Sequence, residues 1–203
     1  MMKKLIVCLT LFAFVGSANA ELINYGGFET GETGGSHHYY PAGTNIPAGD
    51  PTGWTANAGD DTTIISLADG WSGMTAVGAE FMHIGNSVKA GGISQSFATD
   101  IGQTYNLSFL VWNWAASGNG FLDFSVGDLV EDDLAVVDYA TGGTSLLEFN
   151  FTAVDTTSTL TFWNNAGSGL SLDEVSVVIP EPATICLLGL GGLLARRKRE
   201  KQV

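Results

Sequence analysis

The stretch between residues 21 and 179 predicts an all-β fold, two antiparallel sheets packed face to face, on three observations. No long segment there carries apolar residues at helical spacing, short runs of alternating apolar and polar residues recur, and the breaks between them are rich in glycine, asparagine and threonine. Eight or more short strands, each turning half its side chains inward, fill a sandwich, and a jelly roll is the most economical arrangement.

In chain order, strands are expected near Thr62–Leu67, Glu80–Ile84, Gly92–Ala98, Thr104–Trp112, Phe121–Val126, Leu134–Tyr139, Leu146–Thr152, Thr159–Trp163 and Leu172–Val178. The plainest is the fourth, where Tyr105, Leu107, Phe109 and Val111 share one face and Asn106 and Ser108 the other. Leu147, Phe149 and Phe151 alternate with Glu148 and Asn150 in the same way. Gly142-Gly143 and Asn165-Ala166-Gly167 supply turn chemistry between such runs. Gly26 to Gly59, rich in Gly, Pro and Thr, reads as one long connection containing His37-His38-Tyr39-Tyr40.

The two ends differ from this body. Residues 1–20 open with Lys3 and Lys4, run apolar from Leu5 to Val15 and close on Ala18-Asn19-Ala20, a secretory signal helix that signal peptidase is expected to cut after Ala20. Residues 180–203 begin with Pro180-Glu181-Pro182, continue without charge from Ala183 to Ala195, and end in a basic tail that includes Arg196 and Arg197. As a helix, 183–195 is roughly 20 Å long, a short transmembrane segment only if its flanking arginines snorkel, with the basic cluster on the cytoplasmic side. A Pro-Glu-Pro triplet, a short Leu/Gly-rich helix and an arginine-rich end resemble the PEP-CTERM sorting signal of Gram-negative bacteria. That resemblance implies exosortase as a partner, a precursor anchored in the inner membrane through this helix alone, and a body released or attached outside the cell.

Of the 8 Lys and Arg, only Lys89 lies between residues 21 and 179, against 19 of the 21 acids, a net charge of −18. A surface so acidic repels phosphate backbones, which argues against nucleic acid as a partner. Both cysteines, Cys8 and Cys186, fall in the end segments, so the exported body holds no disulfide and rests on its core, with a bound metal as the available staple.

The body carries a second resemblance. Asn24-Tyr25-Gly26-Gly27-Phe28-Glu29, then Gly53-Trp54, Gly92-Ile93-Ser94-Gln95-Ser96-Phe97, the Gly102-to-Phe109 run and finally Leu172-Asp173-Glu174-Val175-Ser176-Val177 follow one another as in the galactose-binding-domain-like, carbohydrate-binding-module type of jelly roll. The resemblance implies that the opening and closing segments lie side by side with a structural calcium ion between them. Glu29 and Asp173 are then the expected carboxylate ligands, completed by main-chain carbonyls near Asn24. The competing reading makes the two acids turn caps.

Trp112 and Trp114 project from the face opposite Tyr105, Leu107 and Phe109. They form either a stacking platform for sugar rings or a patch buried under the long connection. Adjacent histidines on a strand point apart, so His37 and His38 are expected in a solvated loop. His83, inside an apolar run, is expected to be a satisfied or half-exposed strand histidine. Glu131-Asp132-Asp133 and Asp60-Asp61 lack calcium-loop spacing and are expected in solvated turns.

No G-x-S-x-G, H-E-x-x-H or phosphate-binding loop occurs, and the body has no cysteine nucleophile. The expectation is a non-catalytic exported surface or matrix protein that binds or associates with extracellular polysaccharide. The alternatives are a self-associating matrix protein without a specific sugar and, further off, a small carbohydrate-active enzyme using a carboxylate pair.

Overall fold

The computed structural model describes residues 21–31, 37–57, 62–66, 77–85, 89–113, 120–136, 143–165 and 169–180. Glu21–Val178 form one compact unit; residues 1–20 and 179–203 group as a second, of which only Ile179 and Pro180, both exposed, are described. The helices expected over 1–20 and 183–195 therefore lie outside the described residues. No helix among the described residues is long and apolar enough to cross a membrane.

The described body is made of strands: β1 (His37–Tyr40), β2 (Asn45–Ile46), β3 (Trp54–Ala56), β4 (Thr62–Ser66), β5 (Glu80–Ile84), β6 (Gly91–Ala98), β7 (Thr104–Asn113), β8 (Gly120–Val126), β9 (Leu129–Val136), β10 (Ser145–Thr152), β11 (Thr157–Asn164) and β12 (Leu170–Val178). They form two six-stranded sheets, ordered β1-β4-β5-β12-β7-β10 and β2-β3-β6-β11-β8-β9. Every pairing is antiparallel. The last strand, β12, lies inside the first sheet between β5 and β7, which closes the fold only when the end of the chain arrives.

Period-two alternation builds the core. Leu107, Phe109 and Val111 of β7 are buried against Leu160 and Phe162 of β11 and Leu122, Phe124 and Val126 of β8 in one apolar cluster. Phe109 meets Phe162 edge-on at 4.9 Å and Phe124 at 5.4 Å between ring centroids, the geometry that aromatic quadrupoles favour. The N-terminal segment is strapped to β12: Leu22 N–H donates to the Val177 carbonyl and Val175 N–H to the Gly26 carbonyl. Only glycine fits at position 26, where a Cβ would stand 1.9 Å from the Val175 carbonyl oxygen.

The sandwich and most strand positions agree with the sequence reading, with two corrections. The long connection from Gly26 to Gly59 contains β1, β2 and β3, strands of two to four residues at the sheet margins, too short to display a period. His37 and His38 thus sit in a strand rather than a loop. The strand expected at Leu134–Tyr139 is β9, which begins at Leu129 and takes in Glu131, Asp132 and Asp133. That strand is the outer edge of its sheet, where charge discourages pairing with another chain, so acids there need not mark a turn. Asp60-Asp61 lie outside the described residues.

Candidate functional site

Three places concentrate the chemistry of the body. The first is the outer face of the second sheet. On β11, Leu160 and Phe162 are buried, which turns Thr159, Thr161 and Trp163 to the other face. Trp163 pairs with Gly92 on one side and Asp123 on the other. The indole lies across Gly92, where an added Cβ would come within 2.5 Å of its Cε3, so the missing side chain makes the ledge for the ring. Trp163 Nε1 donates to Asn165 Oδ1 at 2.8 Å, Asn165 Nδ2 donates to Asp123 Oδ2, and Asp123 Oδ1 accepts the Asp133 N–H at 2.8 Å. The ring is thereby fixed while the residue stays half-buried.

Its surroundings are small and polar. Ser94 Oγ donates to Asn57 Oδ1 at 3.0 Å, and Asn57 N–H donates to the Gly92 carbonyl at 2.8 Å. Phe121, 41% exposed, lies on the same face of β8 as Asp123 and Ser125. A flat apolar ring among short hydroxyl, amide and carboxylate groups suits a ligand with C–H faces and equatorial hydroxyls. Sequence reasoning missed this site although parity alone places Trp163 among the threonines of its strand.

The second place is the meeting of Glu29 and Asp173. Glu29 Oε1 accepts the N–H groups of Ala79 and Glu80 at 2.5 and 3.0 Å. Asp173 is fully buried; its Oδ2 accepts the Val77 N–H and its Oδ1 the Glu174 N–H, both at 2.8 Å. Burial pushes the Asp173 carboxyl up to about 7, with the Glu174 and Glu29 charges adding to the rise and the two N–H groups opposing it. β12 bulges between Asp173 and Ser176, and Glu174 takes a φ of 49°, a left-handed conformation rare outside glycine. Tyr25 and Phe28, in the strapped N-terminal segment, do the same at 54° and 55°.

Three carboxylates, Glu29, Asp173 and Glu174, thus stand within electrostatic reach of one another, Asp173 buried and Glu174 on left-handed backbone. Among the described residues no three His, Cys, Asp or Glu side chains enclose a metal by themselves, so a cation here draws its remaining oxygens from carbonyls or water. Asn24 is held by main-chain and side-chain hydrogen bonds. Its main-chain carbonyl accepts Gln95 Nε2 at 2.9 Å, its N–H donates to Gln95 Oε1, and its Nδ2 donates to the Thr52 carbonyl, so Asn24 ties the opening segment to β6.

The third place is the outer face of the first sheet, where Trp112 was expected as a platform. Trp112 projects outward as parity requires, yet it is completely buried, packed on Phe81 at 5.1 Å with the rings 57° apart. That burial removes it from contact with a sugar. Its Nε1 has no hydrogen-bond partner among the described residues. Ser171, its partner on β12, and His83 on β5 are buried in the same row, His83 Nδ1 and Ser171 Oγ lying 3.2 Å apart, which satisfies the histidine as expected. Trp114 lies outside the described residues, as do Ala20, Glu181, Pro182, Arg196 and Arg197.

Comparison with known proteins bears on the fold and the tail. Residues 178–199 match the PEP-CTERM protein-sorting motif. Among solved structures the fold resembles TmCBM61, a carbohydrate-binding module in complex with β-1,4-galactotriose, at a TM-score of 0.54 and 15% identity over 78% of this chain and 98% of that one. It also resembles the CBM22-1 xylan-binding domain of Paenibacillus barcinonensis Xyn10C, at a TM-score of 0.46 and 18% identity over 73% and 96% of the two chains. No curated protein matches the chain. The body therefore shares the jelly-roll fold of TmCBM61, and the sorting motif in the tail marks the chain for export and exosortase processing.

Proposed function

We propose that the body is a non-catalytic carbohydrate-binding module that associates an exported protein with extracellular polysaccharide, with Trp163 as the stacking surface. The observation that carries this reading is the half-buried indole, locked by Asn165 over Gly92 and bordered by Asp123, Ser94 and Asn57. The fold it shares with a module solved with β-1,4-galactotriose supports the ligand class. The net charge of −18 favours neutral glycans over uronate-rich ones.

The arrangement suits a tethered module. Trp163 stands at the end of β11 from which the chain passes to Leu170, and β12 then carries it eight residues, roughly 26 Å, to Val178 and the sorting signal. Trp163 and Val178 therefore lie towards opposite ends of the sandwich. A calcium ion held by Asp173 and Glu29 belongs to this reading as a structural staple; when bound it supplies the positive charge that favours ionised Asp173.

Trp163→Ala is expected to weaken binding to neutral polysaccharide by about 1–3 kcal/mol, a range taken from aromatic stacking on nucleobases, while the melting temperature stays within a few degrees of the parent. Affinity electrophoresis in β-1,4-galactan and xylan gels, beside a melting curve, measures both. Parent and variant running alike in every polysaccharide would remove the face from the argument.

A further inference from the structure

The sorting motif begins inside the fold. Its first matched residue, Val178, is half-buried and still pairs with Asn106 of β7. Val177 is fully buried, pairs with Leu107, and its carbonyl accepts the Leu22 N–H at 3.0 Å. Glu21 clamps the same strand end: its Oε1 accepts the Val177 N–H at 2.8 Å and its Oε2 accepts from Ser176 Oγ at 2.5 Å. Ile179 alone separates this locked strand from Pro180.

We propose that removal of the tail is gated by closure of β12, with Glu21 as the clamp. Peptide-binding clefts commonly hold several consecutive residues in extended form through their main-chain groups. On the N-terminal side of the triplet those groups are already taken by β7, by Leu22 and by Glu21. The sorting enzyme therefore gains the triplet with its preceding residues when the last turns of pairing in β12 are open, and loses them when the body closes. Strand ends open at low free-energy cost, so the gate slows the cut rather than forbidding it. Each cut breaks one peptide bond and consumes one water or one amine; the geometry bears only on access to that bond. This inference rests on processing at the sorting motif and is independent of what the Trp163 face binds.

The test is a pulse-chase of the full chain in cells that carry the exosortase, following loss of the tail by mass. Placing a flexible glycine-serine spacer between Ile179 and Pro180 is expected to speed tail loss by about tenfold, because the triplet then clears a sheet that remains shut. Glu21→Ala, which removes the two hydrogen bonds from β12 to the carboxylate along with the local one from Ile23 N–H, is expected to speed it by a similar factor, about tenfold. The spacer variant keeps every contact of the body, so it decides the matter even if Glu21→Ala folds poorly. A spacer variant processed at the parent rate overturns the gate. A parent chain that never loses its tail overturns it together with the processing on which it rests.

Discussion

A Trp112→Ala chain is expected to lose about 3–5 kcal/mol of folding stability, the usual cost of truncating a buried aromatic. For a domain of this size that is a drop of about 6–20 °C in melting temperature. The side chain is wholly buried, and its ring has Phe81 as a partner at 5.1 Å, so the truncation leaves a cavity and an unpaired phenyl face. Trp112→Phe should behave differently. It keeps an aromatic ring in contact with Phe81 and removes an indole N–H that has no partner among the described residues, a group whose burial costs about 1–3 kcal/mol. The phenylalanine variant is therefore expected to recover most of the loss. Differential scanning calorimetry of the two variants reads both effects. An alanine variant that melts with the parent would mean that Trp112 stands in solvent, and would restore it as a stacking platform.

Calcium removal should give the second large effect, together with a pH dependence that the ion suppresses. In chelator, Asp173 carries a carboxyl pushed up to about 7 in the folded state, against an ordinary value of 3.8. Between those values the folded chain holds a proton that the unfolded chain has released. Stability conferred by that proton is present below the ordinary value and is lost as pH rises towards 7. A calcium ion at the site favours the ionised form, so in its presence neither folded nor unfolded chain holds the proton over this window and the loss of stability should disappear. At free calcium about 100 times the dissociation constant the gain is about 2.7 kcal/mol, or about 5–11 °C. Asp173→Asn should flatten the chelator profile and abolish the calcium response. Melting curves at pH 5 and pH 7.5, with chelator and with calcium, check this in one series. Identical curves with chelator and calcium would leave Glu29 and Asp173 as turn-capping acids.

Trp112 and Trp163 show what could be read from the chain and what could not. Both are assigned to an outward face by alternation alone, Trp112 against Phe109 and Val111, Trp163 against Leu160 and Phe162. Their fates differ through residues far away in sequence. β5 delivers Phe81 to cover one ring, whereas β6 offers Gly92 beneath the other, which stays half-buried. A similar limit hid β1 to β3, because strands of two to four residues show no period and owe their form to neighbours already in place. Glu29 and Asp173 were suggested by resemblance to a known jelly roll, but the bulge that brings Glu174 into the same field belongs to the register of β12 against β7.

The sequence by itself determined the sandwich, the acidic disulfide-free body and the sorting tail. Each of these is written in local order: a two-residue period, a count of charges, a triplet followed by an apolar run and basic residues. Tertiary structure decided which tryptophan meets solvent, which acids meet one another, and that the sorting motif starts within a strand already bound on both sides. These are facts of register. A partner across a sheet is set by the joint closure of many loops, and a one-residue slip turns every side chain to the other face, so no local pattern carries that information.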